Sequence, residues 1–526
     1  MPKPTPIAKL IAWYDRHFLA LIAIVLIIFI PLFPKLPLFD LLPGYIVRVR
    51  TEDFLIALAI LVWFIQFFRG QIKLHPLITR LIGLYLIIGF LSCLSAMFIT
   101  KTVPLEWLHV GKLYLHYLRR LEYFSLFFIF YSGIKTALHA KLLIYCLVGV
   151  MLGVAVYGYG QKYFYWPVYS TMNREFSKGW RLYLTEHARV PSTFGGHYDA
   201  AAFTLIAITI ILAVCLLTPK LWLRLVSGVA FLGGLWLLIL TASRTSFLGY
   251  LASLTVLMLF LAWIKSWWWA LGRWLLVLGL SLSLMLTFGD LSQRFSQLLG
   301  LNRLKEKYAQ LALAPKVPSP AGDLDLSVAS LSDRPPQPYP RGLPADVYED
   351  IPDKQLLIDA DGRAQLIDIP RTYSENAYKY GLSAAIRLDA LWPRAVAGFL
   401  RNPLLGSGYS TLTKESVGQF TEAESTDNDY LRSLGETGLL GFISFFGVIL
   451  TILFLLLKAL KQLQEPIFLA FVLGFTAASL GLLLNAFYID VFEASKVATI
   501  YWALAGLSLA ILSLSLADQR QPRPKS

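Results

Sequence analysis

A chain of 526 residues that is 56% hydrophobic and only 15% charged, with a mean hydropathy of +0.60, is not a water-soluble globular protein, since soluble domains carry about 25% charged residues. The net charge of +14 argues no better for a nucleic-acid binder, because the lysines and arginines are scattered through short connections. Cys93, Cys146 and Cys215 each sit inside an apolar run without a spacing pattern, which argues against a disulfide framework or a zinc site.

In chain order, the apolar runs approach or reach the roughly 20 residues that cross a bilayer as helix. Helices are expected because lipid offers the backbone no hydrogen-bond partners. The first run, near 18–33, follows Lys3, Lys9 and Arg16 and lacks a small-residue cleavage site, so it reads as an uncleaved span. Further spans are predicted near 53–69, 81–99, 116–134, 140–159, 199–217, 221–241, 246–264 and 268–287. The fourth is the weakest, because Arg119, Arg120 and Glu122 precede a short apolar part. A long segment, 290–437, comes next. Its middle, 315–352, is rich in proline, serine and aspartate and reads as an irregular linker. Residues 356–369 alternate around Ala360-Asp361-Gly362, which predicts a hairpin, and 376–400 predicts an amphipathic helix leading to the turn from Asn402 to Gly408. Spans near 438–458, 467–488 and 495–515 complete an all-α polytopic membrane protein of about twelve helices, with a large extracytoplasmic loop before the last three. The expected division is an N-terminal bundle at 1–289, a loop region at 290–437, and C-terminal helices with a tail at 438–526.

Charge sets the sides. With twelve spans, Arg69, Lys73, Arg80, Lys135, Lys141, Lys220, Arg224, Lys265, Arg273, Lys458 and Lys461 share one face with both termini, and that face is cytoplasmic. Omitting the fourth span would scatter these residues over both faces. The opposite face then carries the loop 160–198, the turn around Arg244 and the segment 290–437.

The candidate chemistry lies on that outer face. Arg189 precedes Pro191-Ser192-Thr193-Phe194-Gly195-Gly196-His197 at a predicted helix start, where free N–H groups, a positive helix end and a guanidinium suit an anion such as phosphate. Arg244 occupies a tight turn, and Arg387 the amphipathic helix. Each has a bland alternative as a snorkelling anchor, although arginine anchors are more expected on the cytoplasmic side. Thr426 and Asp429 are spaced as a capping box, Arg432 and Glu436 as an i,i+4 pair, and Asp427 with Asn428 would sit at the helix tip, where a carboxylate can take a proton from a sugar hydroxyl. Secondary candidates are Arg119, Arg120 and Glu122, as pocket lining or an internal salt bridge, with His197 and Glu436. Asp359 and Asp361 resemble a metal-binding Asp-x-Asp but fit a hairpin turn better. His187 and His197 alone make no metal site.

Arg401-Asn402-Pro403-Leu404-Leu405-Gly406-Ser407-Gly408, followed by Asp427-Asn428-Asp429-Tyr430-Leu431 and Glu436-Thr437-Gly438-Leu439-Leu440-Gly441, resembles the signature of the O-antigen ligase and O-antigen polymerase superfamily. The segments at 189–195 and Ser243-Arg244 resemble two further motifs of that superfamily in the same order, so the likeness spans roughly residues 80–515. The resemblance implies a metal-independent, inverting glycosyltransferase of the GT-C type, needing no cofactor, in the bacterial cytoplasmic membrane. It would take a glycan from an undecaprenyl diphosphate carrier and move it to a glycan or lipid acceptor on the outer side. Arg189, Arg244 and Arg387 would hold the donor diphosphate, with Asp427 and Asn428 near the acceptor. Many ligases carry histidine where this chain has Asp427, which weakens lipopolysaccharide ligation in particular and leaves polymerisation or a related transfer open. The 315–352 insertion has no counterpart in the family pattern. The alternatives are a lipid-linked glycan flippase or transporter, which would show repeated halves and charges deep in broken helices, and a peptidoglycan polymerase of the shape-and-division class or a membrane scaffold.

Overall fold

The computed structural model describes residues 5–42, 48–172, 176–185, 188–287, 291, 354–358, 364–368, 382–412 and 425–520. The helices are α1 (Pro6–Leu32, with a π-helical turn Tyr14–Phe18), α2 (Thr51–Phe68), α3 (Pro76–Phe98), α4 (Trp107–Gly133) and α5 (Ala137–Tyr163). They continue as α6 (His197–Leu217), α7 (Leu221–Leu240), α8 (Arg244–Ile264) and α9 (Trp267–Thr287). Then follow α10 (Leu382–Ile386, a π-helical turn Arg387–Leu391, and Trp392–Arg401), α11 (Asp429–Lys458), α12 (Pro466–Asn485) and α13 (Ser495–Arg520). Two small antiparallel hairpins join them, β1 (Pro37–Asp40) with β2 (Arg48–Arg50) and β3 (Lys354–Ile358) with β4 (Ala364–Asp368). The second is the hairpin expected around residue 361; the linker 315–352 lies outside the described residues, as does the start of the amphipathic helix.

Starts are marked by local chemistry. Thr136 and Ser243 accept hydrogen bonds from the backbone N–H of His139 and Ser246, and Pro76 and Pro466 occupy first-turn positions where no N–H is needed. At the centre, α12 packs along α6 and α8, α13 along α4, and α11 along α3. α6, α12 and α13 are wrapped on nearly all sides, whereas α2 and α9 expose most of their apolar surface, as helices facing lipid do.

Among the described residues, eleven helices are long and apolar enough to cross a membrane. α4, the weakest expected span, is a further helix of 27 residues. Its low hydropathy has a physical source: Lys112, His116 and Arg120 recur every four residues, so they share one face, and that face is buried inside the bundle.

The tenth span, expected to begin at residue 438, extends back to Asp429, and residue 438 is instead a break. Gly438 has φ 67° and ψ −168° in the middle of α11, a conformation open essentially only to glycine. The break strips Leu439 and Leu440 of the carbonyls four residues earlier, those of Gly435 and Glu436. The turn after α10 replaces each lost bond. Ser407 N–H donates to Gly435 O at 2.9 Å and Gly408 N–H to Glu436 O at 2.9 Å. In return, Leu439 N–H donates to Pro403 O at 2.8 Å and Leu440 N–H to Leu404 O at 3.2 Å. Ser92 of α3 adds its hydroxyl to Leu405 O and Glu436 O. Gly406, with φ 69°, is pressed so close that a Cβ would lie 2.5 Å from Glu436 O. The asparagine-proline-glycine run and the Glu-Thr-Gly run are thus two halves of one backbone lock.

Candidate functional site

Four connections meet at one end of the bundle. Val190 N–H, beside Arg189, donates to Leu240 O at the end of α7, three residues before the start of α8 is capped by Ser243. Ser246 in the first turn of α8 accepts from Asn485 Nδ2 at 3.0 Å, which ties in the end of α12. Asp429 N–H then donates to Ala486 O, and Arg387 donates to Tyr488 O, so the starts of α11 and the π-helical turn of α10 hang on the connection after α12.

This arrangement gathers Arg189, Arg244 and Arg387. The Arg244 guanidinium lies within electrostatic range of both of the others and of Tyr198. Arg189 is held by His197 and by the Tyr198 hydroxyl at 3.3 Å, and it overlies the Tyr198 ring. Arg387 overlies Tyr488 and pairs with Asp427 at 2.8 Å. Asp427 sits at the tip of α11 with φ 52°, and its other carboxylate oxygen accepts from Ser425 Oγ at 2.6 Å. Burial pushes the Asp427 carboxyl above the usual carboxylate range, and Asp490 pushes the same way, against Arg387, Ser425 and Arg432.

The expected capping box is replaced. The N-cap of α11 is Asn428, whose side chain accepts from Leu431 N–H at 2.9 Å, not Thr426. Thr426 and Asn428 instead send their backbone N–H groups to the two oxygens of Asp490, at 2.8 and 2.7 Å. Both bonds of the expected box are diverted: Thr426 N–H goes to Asp490 instead of Asp429, and Asp429 N–H, which the Thr426 hydroxyl would have taken, donates to Ala486 O. Asn428 is therefore buried and engaged in capping, while Asp427 remains partly exposed.

The Gly-rich segment before α6 is a packed plug rather than an open cradle. Residues 190–197 are buried, the Ser192 and Thr193 hydroxyls donate to Val154 O and Pro31 O, and Lys496 donates to Thr193 O. Beside it, Lys35 pairs with Asp199 at 3.1 Å. His197 contacts Arg189, and His187, Asp359 and Asp361 lie outside the described residues.

Of the secondary candidates, Arg120 and Glu436 share a buried network, while Arg119 and Glu122 are half-buried in another. Arg120 pairs with Glu493 and, at 3.6 Å, with Glu436, not with Glu122. Arg432 binds Asp490 at 2.8 Å, its i,i+4 partner Glu436 at 3.3 Å and Glu493 at 3.7 Å. Arg119 and Glu122 face the other way, within range of Asp53, because neighbours on a helix diverge by about 100°. The cavity among Tyr85, Arg120, Arg432, Glu436 and Glu493 is about 30 Å³, too small for a sugar ring, which favours the internal salt-bridge alternative for Arg120. Among the described residues, no group of three or more His, Cys, Asp or Glu side chains is placed to hold a metal ion. Asp490, Tyr488 and Glu493 were not singled out by sequence; they lie in a short connection with no motif, and only the fold brings them to the site.

These features define a multi-pass membrane protein with three arginines and a partly exposed carboxylate converging at one end of an α-helical bundle. Residues 228–446 match the family model described as O-antigen ligase. The match runs from within α7 to within α11, taking in Arg244, Arg387, Asp427 and Glu436, while Arg189 precedes it. A comparison with curated proteins found no match.

Proposed function

We propose that the protein is an inverting, metal-independent glycosyltransferase of the cell envelope. In this reading it works at the outer face of the bacterial cytoplasmic membrane. It moves a glycan from an undecaprenyl diphosphate carrier to a glycan or lipid acceptor, as a surface-polysaccharide ligase or polymerase. The observation that carries this reading is that Arg244 lies within electrostatic range of both Arg189 and Arg387, the latter paired with Asp427. A diphosphate meets guanidinium forks in bidentate fashion, so arginines that the fold brings to one place suit that leaving group.

In the reaction, an acceptor hydroxyl attacks the anomeric carbon from the side opposite the diphosphate. The glycosyl C–O bond to the diphosphate breaks as the new one forms, which inverts the centre. Asp427 takes the hydroxyl proton, and the arginines neutralise the charge growing on the departing diphosphate. Arg387 serves both halves, because at rest it is bonded to Asp427. Sharing it with the diphosphate would loosen that pair and raise the basicity of the carboxylate when the donor arrives. Asn428 acts indirectly, by capping the helix that presents Asp427. In the proposed division, the membrane bundle 1–289 and the helices from 438 onward frame the site, and the region 290–437 supplies Arg387 and Asp427.

The test is incubation of purified protein with a defined undecaprenyl diphosphate oligosaccharide and candidate acceptors. Product glycan with an inverted linkage is expected from the wild type, and Arg244→Ala should lose roughly 2–4 kcal/mol of transition-state stabilisation. Equal product from both proteins, at equal folded amounts, would refute the assignment.

A further inference from the structure

Asp490 lies 63 residues beyond Asp427 in the chain and belongs to none of the recognised motifs. It is buried, and its carboxylate gathers four donors: Ser425 Oγ at 2.9 Å, Thr426 N at 2.8 Å, Asn428 N at 2.7 Å and Arg432 Nη1 at 2.8 Å. Three of the four come from the turn that holds Asp427. Ser425 also stands between the two carboxylates, 2.6 Å from Asp427 and 2.9 Å from Asp490.

We infer that Asp490 is a positioning residue for the transfer reaction: an anionic clamp that holds the 425–428 turn and sets the basicity of Asp427 through Ser425. The inference rests on the proposed transferase reading, with Asp427 as base. Its physical content is twofold. A left-handed backbone at an aspartate is costly and persists only if its neighbours fix it; Asp490 does so by taking the N–H groups on both sides of Asp427. Its negative charge also opposes Arg387, which would otherwise hold Asp427 in a weakly basic, ion-paired form. Arg432 neutralises Asp490 from below and is itself shared with Glu436 and Glu493, while Arg120 serves those same two glutamates and Asp429 accepts from Phe492 N–H. The clamp is therefore anchored to the buried network of α4 and α11, and its charge does not swing away when substrate enters.

Asp490→Asn keeps the size and removes the charge. The base works ionised, and losing a neighbouring anion lowers its proton affinity. The acid limb of the kcat profile should therefore move down by roughly one pH unit. Misplacement of the base should lower kcat by about 10- to 100-fold, with KM for the lipid-linked donor little changed. Ser425→Ala, at an exposed position, removes a donor to ionised Asp427 and leaves the charge of Asp490 in place, so its acid limb should move the other way, slightly up; it guards against misfolding of the first variant. Hydrogen exchange at the amides of Thr426 and Asn428, read on the peptide spanning the turn, should quicken in Asp490→Asn without change in the membrane helices. This second measurement does not depend on turnover. Faster exchange with a wild type that transfers no glycan would sink the transferase reading and leave the clamp standing. An active wild type whose acid limb, kcat and turn exchange are all unmoved in both variants would overturn the role of Asp490 alone.

Discussion

Asp427 and Arg387 form the pair on which the proposed chemistry turns. Asp427→Asn should cut turnover by at least about 100-fold, the scale of a general base, and leave the dissociation constant of the donor nearly unchanged in a binding titration. Arg387→Gln removes the cation that favours ionised Asp427. The carboxyl, already raised by burial, should rise further, and the residual kcat/KM should fall off at higher pH than in the wild type. A downward shift of that limb would show that Arg387 does not face the base during catalysis. These residues were visible in the sequence for local reasons: an arginine on an amphipathic helix leading to a glycine-rich turn, and an aspartate ahead of a helix start. Asp490 and Glu493 carry no such mark. Their meaning arises from partners 58 to 65 residues away or, for Arg120, 373 residues away, and no window along one chain reads that.

Elements were legible to the degree that lipid dictates them. Apolar length located the spanning helices within a few residues at most ends, and the polar stripe of α4 weakened its signal and delayed its expected start from 107 to 116, because averaging over a window cannot tell a buried charged face from an exposed one. The start of α11 was displaced for a related reason: its first turns, Asp429 to Thr437, are polar, so hydropathy begins only at the break. Nothing in the pattern announced that Gly438 would leave the helical conformation, since a glycine in a membrane helix is ordinary. The lock with the turn after α10 makes a sharp prediction. Gly438→Ala must either hold alanine in a glycine-only conformation, with its Cβ 2.4 Å from the Leu404 carbonyl, or straighten the helix and release four backbone bonds. The first alone costs of order 3 kcal/mol, so thermal unfolding in detergent should shift down by several degrees. Gly447→Ala, on the same helix with open space around the new methyl, should leave the transition where it is.

At the scale of the whole molecule, the geometry ties the outer-face argument to a count. If α4 crosses the membrane with the eleven apolar helices, the connections bearing Arg189, Arg244, Asp427 and Asp490 lie on one side and those bearing Lys73, Lys141 and Lys461 on the other. The ion pairs sort the same way. Arg69 with Asp15 and Lys141 with Glu465 sit at the basic end, and Arg387 with Asp427 at the other. Charge bias then assigns the basic end to the cytoplasm, and a lipid-borne diphosphate would reach the arginines from the outer leaflet. Single cysteines test this directly. In a chain with Cys93, Cys146 and Cys215 replaced by alanine or serine, Trp180→Cys and Ser425→Cys, both exposed, should react with a membrane-impermeant maleimide in cells whose cytoplasmic membrane is intact. Lys73→Cys and Lys461→Cys should react only after that membrane is permeabilised. Labelling of Lys73→Cys and Lys461→Cys from outside, with Trp180→Cys and Ser425→Cys reached only after permeabilisation, would mean that the bundle sits the other way up. The arginines and the carboxylate would then face a compartment where no outward-presented lipid-linked glycan is found, and the transfer reaction would have to be abandoned whatever the distances within the site.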